Sequence, residues 1–298
     1  MIEIDATLVK RLIRTQFPQW AELPVVPVEN DGWDNRTFHL GDKMSVRLPS
    51  APAYAAQVAK EHRWLPALRL NLPMPIPVPL GLGAPGSGYP WPWSIYGWLE
   101  GEPAHADRIH DLGRFAEDLA GFLVALRGID ARDGPVAGTH NFHRGGSLAI
   151  YDAQTRQSIT TLAGEIDVAA VTEVWDTALA TSWQRAPVWI HGDVAASNLL
   201  VKEGQLGAVI DFGCAGVGDP SCDLVIAYTF LDPISRSVFR AATALDEATW
   251  ERARGWAVWK ALIILVQQRD KNATEANKAL RTIREILADH SRTIAQRE

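Results

Sequence analysis

The sequence predicts an α+β chain in two lobes, a small β-rich lobe followed by a larger, mostly α lobe. Short apolar runs broken by turns occupy residues 25–48 and 93–99, as strands of a half-buried sheet would. A proline-rich stretch and the stop Glu100-Gly101-Glu102-Pro103 mark a division. From Asp107 onward helical stripes dominate, interrupted by one apolar hairpin between Val188 and Phe212. A length of 298 residues suits one large domain or two lobes of ordinary size.

Each element has a local reason. Leu8, Leu12, Ile13 and Phe17 fall near helical spacing, with Asp5 as N-cap and Pro18 as stop. Val25 to Glu29, Arg36 to Leu40 and Met44 to Leu48 read as two or three strands. Turns at Asn30-Asp31-Gly32-Trp33-Asp34-Asn35 and at Gly41-Asp42 separate them. Residues 52–70 return to a helical pattern, which Pro52 opens and Pro66 should end or kink. Residues 71–92 hold seven prolines and four glycines, a composition no central strand or helix survives. An extended segment is expected there, a proline-rich recognition ligand being the alternative. Trp93 to Leu99 is strand-like.

In the second lobe Leu112, Phe115, Leu119, Phe122, Leu123 and Leu126 form one apolar stripe. Thr139 to Gly146 reads as a loop whose two histidines and Arg144 are loop residues first and phosphate or substrate contacts second. Helices are expected over Glu165 to Trp183, Leu224 to Leu231, Glu247 to Gln267 and Thr274 to Ala288, with Trp250, Trp256 and Trp259 as core.

Composition narrows the function. Apolar residues at 47% and charged ones at 21% are ordinary for a chain that buries a core. A net charge of −6 argues against a general nucleic-acid binder. Met1-Ile-Glu-Ile-Asp lacks a basic start followed by an apolar core, so no secretory signal is expected. The longest apolar run, Gly255 to Val266, is broken by Lys260 and too short to span a bilayer, so the expectation is a cytoplasmic protein without a membrane partner. Cys214 and Cys222 form no zinc cluster; Cys214 is expected buried and inert, a reactive thiol being the alternative.

The chemistry concentrates between Val188 and Asp223. His191-Gly192-Asp193 is followed five residues on by Asn198, then by apolar Leu199-Leu200-Val201, a turn at Glu203-Gly204, apolar Ala208-Val209-Ile210, and Asp211-Phe212-Gly213. This is a hairpin with oxygen ligands at both ends. Transfer of a γ-phosphoryl group needs magnesium, a hard cation that selects carboxylate and amide oxygens. Asn198 and Asp211 can supply them, which leaves Asp193 to face an incoming hydroxyl as base. Asp, Asn and Gly also mark ordinary turns, but not in three matched elements at matched spacing.

The run H-G-D-x-x-x-x-N followed by I-D-F-G-x-A-x-x-G-D-P-x-x-D-L resembles the aminoglycoside phosphotransferase family, small-molecule relatives of the protein kinases. The likeness is strong from Val188 to Leu224 and loose before Trp93. It implies a bilobal protein-kinase-like fold with a nucleotide-binding lobe over 1–99, a hinge at about 96–102, and a catalytic and substrate-binding lobe over 103–298. His-Gly-Asp stands where protein kinases have His-Arg-Asp, whose Arg receives a phosphorylated activation loop. Only Gly213 to Gly218 separates Asp211-Phe212 from Asp219-Pro220, which leaves no room for a peptide-holding segment.

By order along the kinase arrangement, the Gly32 turn would cover the phosphates. Arg47 in Met44-Ser45-Val46-Arg47 would hold them in place of the usual Lys, with Glu61 as its partner. Backbone near Trp98 and Leu99 would read the adenine. Asp219 and Asp223 are expected to hold the catalytic loop rather than a metal. The expected activity is ATP- and magnesium-dependent phosphorylation of a small-molecule hydroxyl, with GTP the alternative donor. Aminoglycosides, macrolides, choline-like amines and sugars are the open acceptor classes. The rivals are a catalytically silent nucleotide-binding module and a protein serine/threonine kinase. Near the C-terminus Asp232, Asp246, Glu247 and Glu251 alternate with Arg236, Arg240, Arg252 and Arg254, a balance that selects no acceptor charge.

Overall fold

The computed structural model describes residues 3–29, 32 and 34–295. Helix α1 (Ala6–Gln16) starts where Asp5 accepts a hydrogen bond from Leu8 N at 2.7 Å, and it buries Leu8, Val9, Leu12 and Ile13. Those residues pack on an antiparallel sheet of β1 (Val25–Pro27), β2 (Asn35–Leu40), β3 (Met44–Pro49), β4 (Pro79–Gly83) and β5 (Trp93–Gly97), ordered β1-β2-β3-β5-β4. Arg47 pairs in register with Thr37 on one side and Ser94 on the other, so it stands on the central strand. The proline-rich segment contributes only the edge strand β4, with a register shift between Pro79 and Gly81. That is where a strand tolerates proline.

Helix α2 (Pro52–Leu68) opens on Pro52 and runs two residues beyond Pro66. The helix does not end at Pro66 itself but two residues later, at Leu68. The far end of α2 leaves the first core: Leu65 and Leu68, with Ile76 and Tyr96, belong to the larger apolar cluster of the second lobe.

That lobe is built from α3 (Leu112–Arg127), α4 (Asp152–Thr161), α5 (Val168–Leu179), α6 (Ile226–Thr229), α7 (Pro233–Thr243), α8 (Glu247–Gln268) and α9 (Ala273–Ala295). Helix α5 is shorter than expected, because Asp167 caps it by accepting from Ala170 N. The stretch 224–231 is a 3-10 turn over Pro220–Val225 leading into the short α6. Helices α4 and α7 were not anticipated. Helix α8 is buried on all sides from Thr249 to Trp259, with Trp250 and Trp256 each 1% exposed, as a central core helix must be.

The hairpin read from sequence is present as β8 (Leu199–Lys202) and β9 (Gln205–Val209), with β6 (Glu102–Pro103) alongside in the order β6-β8-β9. Strand β7 (Val188–Ile190) pairs with β10 (Gly216–Gly218), so both ends of the catalytic motif are pinned together. Among the described residues no helix is long and apolar enough to cross a membrane.

Candidate active site

The loop after β7 is shaped by its neighbours' demand for close approach. Gly192 has φ +83°, and a Cβ on it would lie 2.3 Å from the Cys214 carbonyl oxygen. The buried Asp223 carboxylate accepts from His191 N at 2.9 Å and Gly192 N at 2.7 Å, so it braces the loop through its backbone. Burial raises the Asp223 pKa, against the charge of His191 and the two N–H groups. His191 is fully buried, donates from Nε2 to Ile210 O at 2.9 Å and lies edge-on to Phe212. Asp219 accepts from Ser221 N and pairs with Arg252 at 2.6 Å, both side chains being buried. Neither Asp219 nor Asp223 is placed as a metal ligand.

The three motif residues are held close. Asn198 Nδ2 donates to the Asp193 carbonyl at 2.9 Å and to its Oδ2 at 3.3 Å. Ile210 N donates to the Asn198 carbonyl at 2.9 Å, which ties Asn198 to the residue before Asp211. Asp211 adopts the left-handed region at φ +64° and accepts from Gly213 N and Arg47 Nη2, both at Oδ1. The remaining contact of Asn198 Oδ1 is a long one from Ser197 Oγ at 3.4 Å. Both residues therefore keep oxygen lone pairs for a hard cation. Among the described residues no group of three or more His, Cys, Asp or Glu forms a metal cage. That suits magnesium, which takes one or two protein oxygens and completes its shell with substrate phosphates and water.

Arg47 bridges the lobes. Its Nη2 lies 3.3 Å from Asp211 Oδ1 and its Nη1 3.8 Å from Glu61 Oε1. Burial works against its charge, yet Asp211, Glu61, Tyr96 and Asp34 together hold its pKa above the ordinary value. Glu61 is 6% exposed and accepts a hydrogen bond from Tyr96 Oη. Burial, with Asp211, raises its pKa in spite of Arg47. The expected Arg–Glu contact is thus part of a wider buried cluster, in which Tyr96 and Asp34 had not been foreseen. The residue preceding Glu61, Lys60, donates to Gly213 O at 2.6 Å, and burial brings its amine down to about 8.

The expected phosphate-covering turn includes Asn30, Asp31 and Trp33, which lie outside the described residues. Gly32 accepts from Arg36 Nη1 at 2.9 Å, and burial followed by Asp211 raises the Asp34 pKa. At the hinge, Trp98 N donates to Lys43 O at 2.8 Å and its ring lies 4.1 Å from that of His39. Among the described residues the backbone of Leu99 has no hydrogen-bond partner. Burial, then Asp193 and Asp211, pushes the Cys214 thiol up to about 12, which makes it inert near neutral pH.

Two cations stand at the centre: Lys260, which had not been assigned there, and Arg144, read from sequence as a loop residue first and a phosphate or substrate contact second. Lys260 on α8 places Nζ 3.0 Å from Asp193 Oδ1. Burial would raise the Asp193 pKa, but Lys260, followed by Arg144 and His191, outweighs it and holds the carboxylate below its ordinary range. Arg144 stacks over Trp259 and Trp256 at 4.7 and 5.2 Å, and its buried Nε has no hydrogen-bond partner. A small cleft brings Arg144, Asp193, Cys222, Val225, Trp256 and Lys260 together. The sequence signal was Lys260 itself, a lone charge in an apolar run.

A small antiparallel sheet, a mostly helical second lobe and an Asp–Asn–Asp hairpin facing a buried Arg–Glu pair define a protein-kinase-like enzyme. The model of the phosphotransferase enzyme family matches residues 26–256, and the chain belongs to that family, a small-molecule phosphotransferase. Among curated proteins none matches the sequence. Solved structures with this fold include the GDP and kanamycin complex of APH(2")-IIia (TM-score 0.73, 19% identity, 94% of this chain and 98% of that one covered). The streptomycin–ATP complex of APH(2")-IIa is similar at TM-score 0.61, 19% identity and coverage of 95% and 99%. The macrolide 2'-phosphotransferase MphH from Brachybacterium faecium gives 0.60, 22%, and 94% and 97%. At these identities the likeness is one of fold.

Proposed function

We propose that this phosphotransferase moves the γ-phosphoryl group of ATP to a hydroxyl of a small molecule. The observation that carries the reading is the convergence of Asp193, Asn198 and Asp211 with Arg47 across the two lobes. The acceptor oxygen bonds to the γ-phosphorus as the bond to the β-bridging oxygen breaks. Asp193 takes the hydroxyl proton, and the nucleoside diphosphate leaves with the electron pair. Asn198 and Asp211 are the residues that would hold magnesium, whose chemistry when bound is neutralisation of charge on the phosphate oxygens. Arg47, aligned by Glu61, and the Gly32 turn position the triphosphate, and backbone near Trp98 and Leu99 receives the base. Residues 1–99 then serve as the nucleotide lobe and 103–298 as the catalytic and acceptor lobe. Need for a nucleoside triphosphate places the activity in the cytoplasm.

Relatives of the same fold bound to ATP or GDP support a nucleotide donor. A silent module would not need all three motif residues gathered at the ends of one hairpin. A protein kinase would need a peptide-holding segment, where this chain passes straight into β10. The test is nucleoside diphosphate release with magnesium and ATP or GTP over a panel of aminoglycosides, macrolides, amino alcohols, sugars and hydroxy acids, beside Asp193→Ala. Turnover that needs one acceptor class and vanishes in the variant is expected. Failure to bind either nucleotide would sink the assignment.

A further inference from the structure

Building on that kinase reading, we infer that the acceptor carries an acidic group, a carboxylate or a phosphate, beside the hydroxyl it offers to Asp193, and that Arg144 is the residue that takes it.

The cavity beside the proposed base is rich in donors. Arg144 makes no side-chain hydrogen bond or ion pair among the described residues, although a guanidinium carries five N–H donors. Trp256, which lines the same cavity, has its own buried Nε1 unpartnered. Lys260 is the other cation, and Asp193 is the only carboxylate among the lining residues. Two cations against one anion leave the cavity positive. Orphaned buried donors are costly unless a ligand meets them, and a planar fork matches carboxylate and phosphate oxygens.

The carboxylates that could have welcomed a polycation are spent elsewhere. Asp232 and Asp246 cap α7 and α8. Glu247 is held by Arg254 at 2.8 Å and by Arg240, and Asp289 by Arg254 at 3.0 Å. The alternation of charges that selects nothing in the sequence therefore resolves largely into internal pairs, and these side chains are not turned to the cleft that Arg144 lines. Stacking on Trp256 and Trp259 fixes the guanidinium in place, so little ordering remains to be done when the acid arrives.

The test is calorimetric titration of the full chain, saturated with magnesium and a non-hydrolysable ATP analogue so that the γ-phosphate position is filled. The probes are glycerate, glycerol 3-phosphate and kanamycin. At least one acid probe is expected to bind, kanamycin is not, and Arg144→Gln should weaken the acid probe by about tenfold or more. The stronger of the two acids tells carboxylate from phosphate. Arg144→Lys, which keeps charge but not the fork, should also bind more weakly, and analogue affinity in both variants reports that they are folded. The inference falls if neither acid binds, if kanamycin binds the parent, if the acid binds Arg144→Gln as tightly as the parent, or if acid binding occurs only without the analogue. That last result would make the cations a seat for the transferred phosphoryl group. Loss of analogue binding by the parent chain would instead remove the kinase reading beneath it.

Discussion

The two flanks of the catalytic centre balance charge in opposite ways. On the sheet side Arg47 is enclosed by Asp211, Glu61 and Asp34, so its positive charge is met before any ligand arrives. On the helical side, among the described residues, Lys260 is ion-paired with Asp193 alone, and Arg144 stacks on aromatic rings and is ion-paired with no carboxylate. A self-compensated flank can exchange partners with a triphosphate and its cation, which bring both signs of charge. An uncompensated flank selects for what it lacks.

The comparison breaks most visibly at its shared point. Asp193→Asn should lower kcat by about 10²–10⁴-fold, the range for a lost general base, in an assay of diphosphate release. A change within about fivefold would mean that Asp193 only orients the acceptor. Next comes the buried Arg252–Asp219 pair that supports both flanks from behind. Arg252→Met should cost about 3–5 kcal/mol in urea unfolding, because Asp219 is left charged and unpaired. The double variant with Asp219→Leu should recover part of that loss.

On the sheet side Arg47→Lys keeps the charge and loses the fork, so nucleotide KM should rise about tenfold while acceptor KM stays put. The smallest effect sharpens the helical side. The Asp193 pKa lies below its ordinary value, so the carboxylate stays ionised as pH falls and is lost only through that lowered value. Lys260→Met removes its main opponent to burial, so the acid limb of the kcat/KM profile should move to higher pH. A limb that does not move would show that the ion pair does not control the base.

Legibility in the sequence followed the range of the interactions. Asp193, Asn198 and Asp211 are spaced along one hairpin, and the local pattern of turn and strand announces them. The helical stripe of α3 and the cap at Asp5 are equally local. Lys260 lies 67 residues from Asp193, and only the packing of α8 against the catalytic loop brings them together. Arg144 sits in a loop that obeys no period, so its orientation depends on Trp256 and Trp259, more than a hundred residues later. Tyr96 was legible as strand but not as the donor to Glu61, since that contact depends on how α2 crosses the sheet. The proline at 66 was legible as a sign that α2 was near its end, which comes two residues later at Leu68.

The contact between Gly192 and the Cys214 carbonyl limits how such an enzyme can be governed. In protein kinases an arginine between the His and the Asp of this loop receives a phosphorylated segment and reports that the enzyme has been switched on. Here any side chain at 192 would have to displace backbone, since even a Cβ would come within 2.3 Å of it. No single substitution could therefore graft that receptor onto the loop, and the short passage from Gly213 to β10 offers no segment to carry the signal. The geometry closes that one route of control at the loop itself.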